Sequence, residues 1–299
     1  MPDGVVLRWM RGHAAAPRNA RAGNLLILKA SGERDYSDDF YKMALFASVR
    51  EVLIPPCATR RQADTAVPFV SRADFVLFAG GDQAHYAAWK GSRLVTAVRD
   101  VYARGGIVGG GSAGLAIQGQ VVFDSVAADR VLRDGSVKTP DAVRDPYEPA
   151  ISFTTHYFAW PPLQGAITDT HFARRNRFGR LAAFMARALH DGLVAGPSVY
   201  GVAVDEGAAL LVNANGVATL VQRARKADGY VPRGAYILRG ERAAHLKRGT
   251  PLSYTVDVVH LSRPGAQYDL LHKRGAGKRY AVTVNGSAAK IYSRDPYGP

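Results

Sequence analysis

The sequence predicts an α/β fold: a three-layer, doubly wound, mostly parallel sheet followed by a β-rich C-terminal extension. Short apolar runs alternate with helix-length amphipathic segments through the first two thirds of the chain. Two glycine-rich turns, Gly80-Gly81 and the run from Gly109 to Gly114, each directly follow an apolar run. Beyond Gln222 the pattern shifts to short β-like runs among basic residues. Strand and helix in alternation imply a parallel sheet with helices on both faces.

Taken in order, residues 25–28 read as a buried strand, and Phe40, Met43, Ala44 and Ala47 share one face of a following helix. Residues 51–54 and 75–78 read as strands, 84–102 as a single helix and 106–108 as the next strand. Residues 140–162 read as loop, broken by Asp145-Pro146 and Trp160-Pro161-Pro162. A helix over 179–189 and a strand over 200–204 follow, then the β-like runs 235–238 and 280–284. The expected organisation is an α/β domain over 1–222 and a basic β-rich extension over 223–299, with 294–299 fraying.

The formal net charge of +14 favours acidic partners. Lys and Arg are scattered rather than gathered on one helix, and neither a zinc-finger spacing nor an RNP-like strand is present, which argues against specific nucleic-acid binding. Cys57 is the single cysteine, so neither an intrachain disulfide nor a cysteine-based zinc cluster can form. No apolar run reaches the roughly 18 to 20 residues of a membrane span, and no export signal is evident. The expected location is cytoplasmic, or secreted or periplasmic if the natural chain starts upstream.

Gly110-Gly111-Ser112-Ala113-Gly114 fits G-x-S-x-G between a strand and a helix. A sharp strand-to-helix turn with small neighbours stands the serine clear of the sheet and aims the next backbone N–H at a developing oxyanion. The competing reading is a plain glycine loop or a phosphate cradle, but Leu115 follows where a phosphate loop wants Lys.

Four motifs in order, Gly80-Gly81-Asp82-Gln83, Gly111-Ser112-Ala113-Gly114, Asp169-Thr170-His171-Phe172 with Arg175, Arg177, Gly179, Arg180 and Leu181, and Val204-Asp205-Glu206, resemble those of the cyanophycinase and peptidase E family of serine peptidases. The resemblance runs from about Leu25 to Leu211 and implies a flavodoxin-like, class I glutamine amidotransferase-like fold with no cofactor and no metal. It implies Ser112 as nucleophile, His171 as general base and Glu206 as the carboxylate orienting it, with Gly81 and Ala113 as oxyanion-hole donors. Gln83, Asp169, Arg175, Arg177 and Arg180 are then substrate-binding, the arginines through forked contacts to aspartyl carboxylates.

Bland readings stand beside these roles. His171 also fits a structural helix-start histidine, or a metal ligand with Asp169, although two ligands are too few for a site. Asp205 competes with Glu206, since adjacent strand residues face opposite ways. Gln83 also fits a helix start, and the arginine run a solvated face.

The chain departs from the family pattern in lacking a leading strand, in carrying Thr170 where cyanophycinases have glutamine and Gly111 where threonine is common, and in its basic tail. The expected partner is a peptide or polypeptide rich in aspartyl residues, with a homodimer allowed. The alternatives are an aspartyl dipeptidase with the same triad, or a non-catalytic binding protein on the same fold.

Overall fold

The computed structural model describes residues 4–13, 23–32, 36–56, 58–132, 136–243 and 245–298; Cys57 lies outside them. It is a mixed α/β structure with parallel sheet cores and extra β-rich sheets in its C-terminal part. Two compact units divide it, Met1–Gln118 and Gly119–Pro299.

The first unit holds strands β1 (Asn24–Lys29), β2 (Ser48–Leu53), β3 (Phe75–Phe78) and β4 (Ile107–Gly110), and helices α1 (Gly4–Gly12), α2 (Ser37–Tyr41), α3 (Arg60–Ala63), α4 (Val67–Val70), α5 (Gln83–Ala87), α6 (Arg93–Ala103) and α7 (Ala113–Ala116). Its sheet runs β2-β1-β3-β4, and every neighbouring pair is parallel. β3 is buried throughout and β1 nearly so, which is why each reads as an unbroken apolar run. β2, at the sheet edge, alternates instead. Leu7 and Met10 of α1 join Leu25, Ile27, Phe46 and Phe75 in one apolar cluster.

Two expected helices are shorter in the structure. The segment 84–102 breaks into α5 and α6, because a turn at Gly91 (φ 78°) intervenes and Ser92 starts a new helix by accepting from the Val95 amide. The helix expected to reach Ala47 ends at Tyr41, and Ala44 takes φ 54°, which no helix accommodates.

The second unit holds β5 (Val121–Phe123), β6 (Phe153–Thr155), β7 (Ala166–Thr170), β8 (Ser198–Val204), β9 (Ala208–Val212), β10 (Val217–Gln222), β11 (Ala235–Glu241), β12 (Ser253–Leu261), β13 (Gln267–Asp269), β14 (Arg274–Gly275) and β15 (Lys278–Asn285). Its helices are α8 (Val126–Val131), α9 (Thr139–Arg144) and α10 (Phe178–His190). A seven-stranded sheet runs β15-β12-β11-β8-β7-β5-β6, and a four-stranded one β14-β13-β10-β9. β5, β7 and β8 pair in parallel. β11, β12 and β15 then extend the sheet antiparallel from β8, so the basic tail supplies sheet rather than a separate body.

α10 is buried on nearly every side, which accounts for its Phe, Leu, Ala and Met content. Within the stretch expected to be loop, α9 forms, with Pro140 in its first turn and Ala142 and Val143 buried. The segment expected to fray is docked at residues 294–298. The Tyr297 hydroxyl accepts from the Phe178 amide at 3.0 Å and donates to Asn176 at 3.0 Å, and the Tyr292 hydroxyl accepts from the Gly179 amide at 3.1 Å. These hydroxyls satisfy N–H groups that the first turn of α10 cannot bond internally.

Candidate active site

In the first unit the two glycine-rich turns lie at the carboxyl ends of the parallel strands β3 and β4, the end at which open α/β sheets form their sites. β4 ends at Gly110 and α7 begins at Ala113, and Ser112 between them takes φ 54° and ψ −121°. A non-glycine residue held there costs about 1–3 kcal/mol and persists only when its surroundings enforce it.

The enforcement is steric. A Cβ on Gly114 would lie 2.2 Å from the Phe78 carbonyl oxygen, and one on Gly110 would lie 2.6 Å from the Gly114 backbone. The turn therefore packs backbone against backbone and leaves no room for side chains at those two positions. Gly80, after β3, adjoins the serine: its Cβ position lies 3.4 Å from Ser112 Cβ and 3.9 Å from Oγ. Gly81 follows at φ 130°, Asp82 caps α5 by accepting from the Ala84 amide at 2.8 Å, and Gln83 is the first residue of α5.

In the second unit β7 and β8 are parallel neighbours, and their carboxyl ends bring together residues distant in sequence. His171 directly follows β7 at φ 51°. Its Nδ1–H donates to Glu206 Oε1 at 2.6 Å. Glu206 lies just beyond β8, and its other oxygen accepts from Lys226 Nζ at 2.5 Å. Arg175 Nε stands 3.7 Å from Glu206 Oε1, with its side chain about half exposed. Burial tends to raise the Glu206 carboxyl, but hydrogen bonds from Lys226 and His171 outweigh it and hold its pKa down to about 2. Burial and the nearby Arg175 cation lower the pKa of His171 against the pull of Glu206.

The neighbouring acid faces elsewhere. Asp205 is buried; it accepts from the amides of Ala173, Arg174 and Arg233 and from the Tyr230 hydroxyl. It shapes the turn after His171 while Glu206 takes the imidazole.

Asp169 and two of the arginines bond to one another. Arg180 makes a forked pair with Asp169, Nε to Oδ2 at 2.9 Å and Nη2 to Oδ1 at 2.6 Å. Arg177 adds a contact at 3.4 Å and also donates to the Thr170 carbonyl at 2.9 Å. Despite burial, Arg180 and Arg177 hold the Asp169 carboxyl below its usual value. Burial and the Arg180 charge bring Arg177 down to about 10, still protonated at neutral pH. Of the three arginines, Arg180 is sealed in the interior, and the Arg175 side chain is about half exposed.

Lys226 is the functional candidate that sequence reasoning missed. It lies in Arg223-Ala224-Arg225-Lys226, which has the look of a solvated basic run. Among the described residues no group of three or more potential metal ligands gathers, and no helix is long and apolar enough to cross a membrane.

No family model matches the chain, and no curated protein matches it. Among solved structures it is similar to a peptidase from an acI-B1 Actinobacterium, at 16% identity over 86% of this chain and 82% of that one, with a TM-score of 0.42. It is also similar to a candidate Peptidase E protein from Listeria monocytogenes EGD-e, at 14% identity over 73% of this chain and 92% of that one, with a TM-score of 0.37.

Proposed function

We propose that the chain is a serine-type peptidase of the cyanophycinase and peptidase E type, cleaving β-aspartyl-arginine or related aspartyl peptide bonds through an acyl-enzyme. The observation that carries this reading is the strained strand-to-helix elbow at Ser112, held by glycines packed backbone against backbone directly after β4. The His171–Glu206 pair supports it independently. With Nδ1–H donated to Glu206, the imidazole carries its lone pair on Nε2, the tautomer a serine general base needs.

In this scheme Ser112 Oγ attacks the scissile carbonyl as His171 Nε2 takes its proton, and Glu206 stabilises the resulting imidazolium. The oxyanion meets the amides of Gly81 and Ala113. His171 then protonates the leaving amine, and a water, deprotonated by the same imidazole, releases the aspartyl acid and restores the serine. Arg175 is the arginine assigned to a substrate carboxylate. Arg177, Arg180 and Asp169 form the support beneath the His171 turn. Gln83, at the first turn of α5, is assigned to the substrate as well.

A panel of β-Asp-Arg polymer, Asp-X dipeptides and isoaspartyl dipeptides tests the proposal. Cleavage on the carboxyl side of an aspartyl residue, lost in Ser112→Ala, is the expected result. Preference for the dipeptides would favour the aspartyl dipeptidase reading. Tight binding without turnover of any member would favour a binding protein.

A further inference from the structure

Beyond the triad, Glu206 shares its charge with a second cation from a segment remote in sequence. One oxygen takes the His171 N–H at 2.6 Å and the other takes Lys226 Nζ at 2.5 Å, so a single carboxylate bridges imidazole and ammonium.

The lysine is held there by its own loop. Its backbone N–H donates to the Tyr230 carbonyl at 2.8 Å, and the Gly229 amide donates back to its carbonyl at 3.0 Å, which closes a tight turn. The Tyr230 hydroxyl donates to Asp205 at 2.5 Å, and Arg174 lies over the Tyr230 ring at 4.6 Å and pairs with Asp228 at 3.2 Å. The aliphatic stem runs beside Gly207, where a Cβ would come within 3.2 Å of Lys226 Cγ. The loop is thus fastened to both turns that carry the His171–Glu206 pair.

We infer that Lys226 is a positioning residue that fixes the Glu206 carboxylate and sets the pH at which His171 becomes a base; this rests on the triad reading for its catalytic consequence. The physical cause is competition for one negative charge. A carboxylate shared with an ammonium holds a proton on the imidazole less strongly than one devoted to it, and the ammonium itself repels the imidazolium. The charged groups facing the pair are Arg175 and Arg177 beside His171, Arg175 and Lys226 beside Glu206, and Asp228 at 3.9 Å from Lys226. Arg175 remains near Glu206 when Lys226 is removed, so the effect is partial.

The test uses Lys226→Met, which removes the charge and keeps most of the stem, Lys226→Gln, which drops the charge and keeps a donor, and Lys226→Arg, which keeps both. Because the base works only when neutral, kcat/KM falls as pH drops through the pKa of His171. At an effective dielectric of about 20 to 40, loss of the ammonium should move that acid limb upward by about one pH unit, an approximately tenfold lower kcat/KM below it. Lys226→Arg should keep the native profile. NMR titration of the His171 imidazole in each variant reads the same shift without turnover, and thermal melts confirm folding. Native titration of His171 in both Lys226→Met and Lys226→Gln would overturn the inference even if Ser112→Ala proved inactive. Full activity in Ser112→Ala would instead remove the triad reading and leave the titration result standing.

Discussion

Replacing Asp169 by Asn should destabilise the second unit far more than its isosteric shape suggests. Asp169 and Arg180 are respectively 2% and 3% exposed, and the carboxylate receives two guanidinium bonds from Arg180, a weaker one from Arg177 and the Thr170 amide at 2.7 Å. Asn keeps the volume and one acceptor but leaves Arg180 and Arg177 as neighbouring cations without their counter-charge. Breaking a buried pair from one side costs about 3–5 kcal/mol. For a unit of this size, 1 kcal/mol moves the melting temperature by about 2–4 °C, so a drop of about 6–20 °C is expected by calorimetry at neutral pH. The sign in acid follows from linkage. The folded carboxyl titrates below the ordinary value of 3.8, so its stabilisation is complete above that pH and disappears as pH falls through the folded pKa. Wild type and variant should therefore converge in strong acid. A neutral-pH loss under about 1 kcal/mol, or one that persists unchanged in acid, would refute the counter-charge account.

Two further variants separate scaffold from chemistry. Gly114→Ala should disrupt the elbow, since the new methyl meets the Phe78 carbonyl at 2.2 Å; a soluble protein with a native melt and native turnover would contradict the steric reading. Arg175→Lys should leave the melt unchanged, because the side chain is about half exposed, and raise KM several-fold by losing the fork. Unchanged kinetics would remove Arg175 from substrate binding.

Local signals were legible in the sequence where one cause acted alone. The buried strands announced themselves as apolar runs because parallel central strands are covered on both faces. The elbow was legible because only glycine fits beside the Phe78 carbonyl. Resemblance, not local pattern, favours Glu206 over Asp205, and the structure bonds Glu206 to the imidazole while Asp205 accepts from the surrounding loops. What stayed hidden depends on long-range pairing. Arg180 and Lys226 both read as members of basic runs, yet one is a buried counter-ion of Asp169 and the other a partner of Glu206; nothing in local charge pattern separates these fates from a solvated face. The break at Gly91 was missed because the apolar periodicity continues on both sides of it. The docked Tyr292 and Tyr297 carry no sequence signal, since their partners lie more than a hundred residues away, at the start of α10.

The central claim, that Ser112 is a nucleophile activated by His171, is tested most directly by peptide-resolved mass spectrometry after treatment with a fluorophosphonate, which phosphonylates activated serines. A single adduct is expected on the peptide containing Ser112, absent in Ser112→Ala and slowed by a factor on the order of 10³ or more in His171→Ala. An adduct on another serine, or labelling of His171→Ala at the native rate, would contradict it.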